Sequence, residues 1–236
     1  MNSISIVIPI YKEKKNFLRL IKSLYKNVKF SFEVIVIDDD SRDGVVEIFN
    51  KIKSKYKKVR LIVREEKPRD LTKSCIVGFK NSTFENILVM DGDLQHDPIF
   101  INKICREYFK NKYDIVIGAR DFSDRDSVQN SFVRFFFSKL ITYVINIFFK
   151  TLTKDPMSGF FIFKKEVYSK SQKNLFLKGY KILLDLILSS KKRLKLKEIK
   201  INFKLRSREK SKMSVKILIL LIYFIFIKKF QKYFQK

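Results

Sequence analysis

Two apolar runs, each ending in a knot of aspartates, constrain this chain more than any other feature. Glu33-Val-Ile-Val-Ile-Asp38 continues into Asp39 and Asp40, and Asn86-Ile-Leu-Val-Met90 continues into Asp91-Gly92-Asp93. Short continuous runs rich in Val and Ile read as strands buried on both faces. Ser3 to Ile10, Val59 to Val63 and Asp114 to Ile117 have the same character. Between them the apolar spacing becomes helical, over residues 16–26, 45–54, 72–81 and 98–110. Strand alternating with helix predicts an α/β fold with a mostly parallel sheet and helices on both faces. In such a sheet ligands bind beyond the carboxyl ends of the strands. Both acidic knots fall there.

The second half reads differently. Residues 132–149 are apolar around much of a helix, residues 160–163 and 196–203 read as strands, and 166–171 and 180–190 as helices. The natural division is a catalytic-type domain over 1–212 and an apolar, then basic, helix and tail over 213–236. Residues 213–227 would form a helix of about 22 Å at 1.5 Å per residue. That is short of a hydrocarbon core of ~30 Å, which favours a helix lying in the interface, anchored peripherally or by its short length, or packed on a partner, with a buried core helix as the plainer reading. The amino terminus enters a strand with no signal-type apolar run before it, so secretion is not expected.

Charge is less decisive than its placement. There are 51 Lys and Arg against 24 Asp and Glu, a formal charge of +27. Such an excess attracts polyanions, although a bias toward lysine coding also produces it. No recognition helix, zinc spacing or aromatic RNP pattern accompanies it, so nucleic acid is not the expected partner. Cys75 and Cys105 lack close partners, which suits a reducing compartment.

In this basic chain, two carboxylates flanking a glycine at a strand end can hold a hard divalent cation, Mg²⁺ or Mn²⁺. A solvated Asp-Gly turn is the plainer reading of that tripeptide alone.

The wider arrangement narrows the choice. Ile-Pro9-Ile-Tyr11-Lys-Glu13, the Asp38-Asp39-Asp40-Ser41-x-Asp43-Gly44 stretch and Met90-Asp-Gly-Asp-Leu-Gln-His-Asp-Pro98 occur in the order of the GT-A family 2 glycosyltransferases. The chain resembles most closely the branch containing dolichyl-phosphate mannosyltransferases and polyprenyl-phosphate glycosyltransferases, over about Ser5 to Met213. The resemblance implies a Rossmann-like GT-A fold and inverting transfer of a sugar from a nucleotide such as GDP-mannose or UDP-glucose. It implies polyprenyl phosphate as acceptor, at the cytoplasmic face of a membrane, with a membrane-anchoring partner conceivable. Carried over residue by residue, Pro9, Tyr11 and Glu13 would line the base and ribose pocket, and Asp38, Asp39 and Asp40 would contact base, ribose or sugar. Asp91 and Asp93, with Gln95, would bind the metal. Arg120, Arg134 and Ser138 would bind the acceptor phosphate or donor diphosphate. Ser158-Gly159-Phe160, and Lys178-Gly-Tyr180 followed by Asp185, match two further motifs. Phe203-x-x-Arg206 with Ser211-Lys212 matches a late motif, in which Arg206 and Lys212 would clamp phosphates. Asp93, Arg120 and Arg134 are the residues expected to carry catalysis, while His96, the single histidine, would orient its loop. The segment from Pro68 to Ser74 lacks the Gly-Leu-Gly common in the family, and Asp185 stands where glutamate is usual.

Two other functions compete. A glycan or protein acceptor would call for a carboxylate base, for which Asp155 and Asp185 are candidates. A catalytically silent relative serving as a scaffold would bind neither metal nor nucleotide.

Overall fold

The computed structural model describes residues 2–120, 145–146, 153–179, 181–202 and 223–231. Its first half is the alternating pattern made solid. Strand β1 (Ser3–Ile10) is followed by helix α1 (Lys14–Asn27), β2 (Ser31–Asp38), α2 (Val45–Ile52), β3 (Val59–Val63), α3 (Leu71–Asn81) and β4 (Asn86–Val89). A 3₁₀ turn (Pro98–Phe100) leads into α4 (Ile101–Asn111) and β5 (Ile115–Arg120). The second half contributes β6 (Phe161–Lys164), α5 (Lys165–Ser171), α6 (Ile182–Ser189) and β7 (Leu196–Ile201). Residues 223–231 are helical.

These strands form one sheet in the order β3-β2-β1-β4-β6-β5-β7. Strands β3, β2, β1 and β4 are mutually parallel, as are β5 and β7. Strand β6 enters antiparallel to both β4 and β5. That insertion departs from a simple alternating reading, because residues distant in sequence choose the pairing. The helix expected over 132–149 lies outside the described residues apart from 145–146. Helix α6 starts later than the spacing suggested, since Leu177 and Gly179 take positive φ just before it.

Period-two alternation sends the two faces of β1 into separate cores. Ile4, Ile6, Ile8 and Ile10 pack with Phe17, Leu20, Ile21 and Leu24 of α1 and with Ile101 and Ile104 of α4. Val7, Ile35 and Ile37 pack on the opposite side with Cys75, Ile76 and Phe79 of α3 and with Leu183 and Leu186 of α6. Each fully buried aliphatic side chain of this kind contributes about 1.5–3 kcal/mol. Helix α3 sits close on the sheet because Gly78 has no side chain: a Cβ there would lie 2.3 Å from Val7 Cγ1. A third, smaller core joins Leu184 and Leu188 of α6 to Phe224 and Ile225 of the 223–231 helix. Among the described residues no helix is long and apolar enough to cross a membrane.

Candidate active site

The sheet order sets β1 between β2 and β4, so Tyr11, Asp38 and Asp91 leave the same edge on neighbouring strands. Pro9 is buried within β1, and the β1–β4 pairing has already ended at Val7 opposite Val89. Its missing N–H therefore falls where no ladder bond is required. Glu13 caps α1: its carbonyl accepts from the backbone N–H groups of Asn16 and Phe17, each at 3.0 Å. Its carboxylate accepts from Asn16 Nδ2 at 2.7 Å.

The three consecutive aspartates are buried and engaged. Asp38 accepts from the Ser41 hydroxyl and, at 3.3 Å, from the Ser41 backbone N–H. Burial raises its carboxyl above the ordinary range, opposed by the Ser41 hydrogen bonds. Asp39 pairs with the buried Arg64 guanidinium at 2.5 Å and accepts the Asp70 backbone N–H at 2.8 Å. Asp40 bonds Arg42 Nε at 2.9 Å and Lys67 Nζ at 2.6 Å, which hold its carboxyl down to about 2. Arg69 donates to the carbonyls of Asp39 and Asp40, both at 3.1 Å, and lies 4.7 Å from the centre of the Tyr11 ring. A guanidinium over an aromatic face is favourable, and it fixes the ring that the resemblance assigns to the base pocket.

Arg64, Lys67, Arg69 and Asp70 were missed by sequence reasoning. Arg69 and Asp70 fall in the Pro68–Ser74 stretch that lacks Gly-Leu-Gly, with Arg64 and Lys67 just before it, and the concentration of charge over 64–70 was the available signal.

Around the Asp-Gly-Asp turn the environment opens. Asp91 and Asp93 are half-buried, neither sealed from an approaching ion. The Asp91 backbone N–H donates to His96 Nδ1 at 3.0 Å, and His96 Nε2 lies 3.6 Å from Asp91 Oδ2. His96 is buried and stacks on Phe160, with ring centres 5.0 Å apart and planes at 13°. It holds the turn, the orienting role expected of it. Asp93 Oδ1 accepts the Gln95 backbone N–H at 3.1 Å.

The Ser158-Gly159-Phe160 motif closes the other side. Ser158 donates its hydroxyl to the Gly118 carbonyl at 2.7 Å, tying this turn to β5. A Cβ on Gly159 would lie 2.7 Å from both Asp91 carboxylate oxygens. Backbone thus approaches that carboxylate more closely than any other residue type allows.

Among the described residues no group of three or more His, Cys, Asp or Glu is set to enclose a metal. The donors present are carboxylates, suited to a hard cation that takes one or two protein oxygens and completes its shell with water and substrate phosphate. Asp91 and Asp93 fit that type. The backbone of Arg120 ends β5, opposite Ile201 of β7. Arg134, Ser138, Arg206 and Lys212 lie outside the described residues.

Asp185, a candidate base in the glycan reading, is buried among donors. It accepts from the N–H groups of Phe176 and Leu177 at 2.8 and 3.3 Å, from Ser189 Oγ at 3.0 Å and from Lys228 Nζ at 2.6 Å. A carboxylate so engaged is a structural anchor.

A family model described as Glycosyl transferase family 2 matches residues 5–171. The chain belongs to this family. Dolichol-phosphate mannosyltransferase of Pyrococcus furiosus is 35% identical over 192 residues, covering 80% of this chain and 53% of that protein. Its namesake from Mycosarcoma maydis is 29% identical, covering 80% and 65%. That of Saccharomyces cerevisiae is 28% identical, covering 78% and 69%. The chain thus spans about half to two thirds of the length of these relatives. Among solved structures, glucosyl-3-phosphoglycerate synthase from Mycobacterium tuberculosis, bound to Mn²⁺, UDP-glucose and phosphoglyceric acid, superimposes with a TM-score of 0.72 at 15% identity. That match covers 96% of this chain and 79% of the synthase. The fold is therefore the mixed-sheet GT-A fold of glycosyltransferases.

Proposed function

We propose that this chain transfers a sugar from a nucleoside diphosphate to a polyprenyl phosphate, with inversion, at the cytoplasmic face of a membrane. The observation that carries the reading is the convergence of Tyr11, the Asp38–Asp40 run and the Asp91-Gly92-Asp93 turn on one edge of a family 2 sheet. The identity to dolichol-phosphate mannosyltransferases supports the acceptor class.

Asp91 and Asp93, with Gln95, would hold Mg²⁺ or Mn²⁺, and such an ion supplies Lewis-acid neutralisation of a departing diphosphate. Tyr11, clamped by Arg69, presents a ring for the base. The Asp38–Asp40 turn, rigid because each carboxylate is engaged, borders the ribose and sugar. A lipid monophosphate with a second pKa near ~6 is largely dianionic at neutral pH, so its oxygen can attack without a dedicated base. The burial of Asp185 agrees with that economy. Arg120, Arg134 and Ser138 are assigned to the acceptor phosphate, and Arg206 and Lys212 to the donor phosphates, by the family resemblance; the three guanidinium groups can pair with phosphate in a bidentate way, while Ser138 and Lys212 offer single hydroxyl and ammonium donors. A single displacement at the anomeric carbon inverts it.

Residues 213–236 are assigned to the membrane surface. In the described helix Phe226 and Phe230 are 71% and 66% exposed beside the exposed Lys229. Aromatic rings and lysines together favour an anionic interface.

The test is a donor screen with GDP-mannose and UDP-glucose, polyprenyl phosphate or oligosaccharide as acceptor, and Mg²⁺ or Mn²⁺. Lipid-linked product that disappears on Asp93→Ala is expected. Undiminished transfer by that variant, or product on oligosaccharide alone, would overturn the assignment.

A further inference from the structure

We propose that Lys228 is a positioning residue for the donor pocket, latching the 223–231 helix to it through a relay of buried and part-buried hydrogen bonds. This rests on the reading of the acidic edge as a nucleotide-sugar site, and adds that the site is ordered by a helix from the far end of the chain.

The relay is continuous. Lys228 is 1% exposed, and its amine reaches Asp185 Oδ1 at 2.6 Å, the Asn174 carbonyl at 2.5 Å and Ser189 Oγ at 2.5 Å. The other Asp185 oxygen, Oδ2, accepts the N–H groups of Phe176 and Leu177. One carboxylate thus joins the distal helix to the 175–179 loop. That loop is held in a conformation it would not keep alone, with Leu177 at φ 58° and Gly179 at φ 91°. Its far end grips the start of α3: the Gly179 N–H donates to Asp70 Oδ2 at 2.6 Å, and the Gly179 carbonyl accepts the Thr72 N–H and hydroxyl at 3.1 and 2.8 Å. The Asp70 N–H then donates to Asp39 Oδ2. Arg69, one residue earlier, covers Tyr11.

Packing follows the same route. Phe176 meets Tyr223 and Phe224 edge to face, at 5.8 and 5.4 Å. An apolar side chain at 228 would fill this third core without the desolvation that a buried ammonium carries. The ion pair therefore selects one seating of the helix and transmits it, since Asp185 bonds both sides. Lys181, also buried, has an amine with no hydrogen-bond partner among the described residues and lies 4.8 Å above the Phe224 ring. A second cation at this junction makes withdrawal of Asp185 from its partners more costly still.

The experiment measures hydrogen exchange and nucleotide binding together, in the full chain. Lys228→Met keeps a flexible apolar stem of similar length and removes the charge. Expected are roughly tenfold faster exchange at the amides of Asp70 and Gly179 and roughly tenfold weaker binding of GDP or UDP with Mn²⁺. The KM for the donor should rise in proportion, with kcat within about twofold, and Lys228→Arg should recover most of the binding. Asp185→Asn, which keeps an acceptor oxygen for the loop but breaks the ion pair, should reproduce both shifts if Lys228→Met does not fold. Unchanged exchange at Gly179, or faster exchange with unchanged nucleotide affinity, overturns the proposal. Wild-type protein that binds neither nucleotide overturns the donor reading, and with it the purpose given to the latch.

Discussion

The end of strand β4 and the interior of helix α6 treat their acids in opposite ways. Where β4 ends, Asp91 and Asp93 stay half-exposed, with glycine backbone against one and a stacked histidine beneath the turn. In α6, Asp185 is sealed at 2% exposure, with donors on both oxygens. A carboxylate with all its lone pairs matched by protein contributes to holding the fold together. One left partly open at a strand end is available to a ligand. The difference separates, within the family motifs, acids left open to a ligand from an acid engaged by the chain itself.

Substitution can break that contrast. The largest effect is expected for Asp93→Ala: transfer falls by at least about a thousandfold, more than about 4 kcal/mol of barrier, while the urea midpoint stays near that of the wild type. Asp185→Ala should instead lose mainly stability, with transfer falling only about tenfold through a raised donor KM. It strands the Lys228 ammonium and two loop amides, and lowers unfolding stability by about 3–5 kcal/mol, measured by urea denaturation. If Asp93→Ala unfolds the protein and Asp185→Ala leaves it stable, the contrast is wrong.

Lys181→Met sharpens it through pH. Burial depresses the Lys181 amine to about 8, opposed by Asp185 of α6 and by Asp70 at the start of α3, with Lys228 of the 223–231 helix sharing the Phe224 ring. Below pH 8 the amine is charged in both folded and unfolded chains, and burying that charge lowers stability. Between about 8 and the unfolded value the unfolded chain keeps a proton that the folded chain sheds, so stability rises with pH. Lys181→Met should therefore stabilise most at pH 7, by up to about 3 kcal/mol, with the gain shrinking by pH 9.5. A gain independent of pH would show that the charge is not its cause. The smallest effect belongs to Gly159→Ala, whose added methyl displaces the Asp91 carboxylate. Mn²⁺ affinity should fall about tenfold, roughly 1.4 kcal/mol, with little change in the thermal midpoint.

Much of this was legible in the residues. Val and Ile runs announced β1, β2 and β4 with ends correct to about two residues. The motifs announced which ends carry acid, because carboxylates at a strand terminus interrupt an apolar pattern visibly. The partners of those acids were not legible. Arg64 reaches Asp39 across 25 positions, and Gly179 reaches Asp70 across 109. No local pattern encodes a hydrogen bond between segments that distant. Asp185 was read as a possible base for a glycan acceptor, and the donors around it come from three separate places in the chain, residues 176–177, 189 and 228.

What the sequence determined by itself was the alternation of strand and helix and the acidic edge, written in short-range periodicity and side-chain chemistry, while its ordered motifs carried the resemblance to the family. The tertiary structure decided the antiparallel entry of β6, the pressing of Gly159 onto Asp91, and the sealing of Asp185 by Lys228. Each of these depends on where closure of the sheet and cores brings distant segments. There, burial and unmet hydrogen-bonding capacity select one set of partners from many that the chain could name.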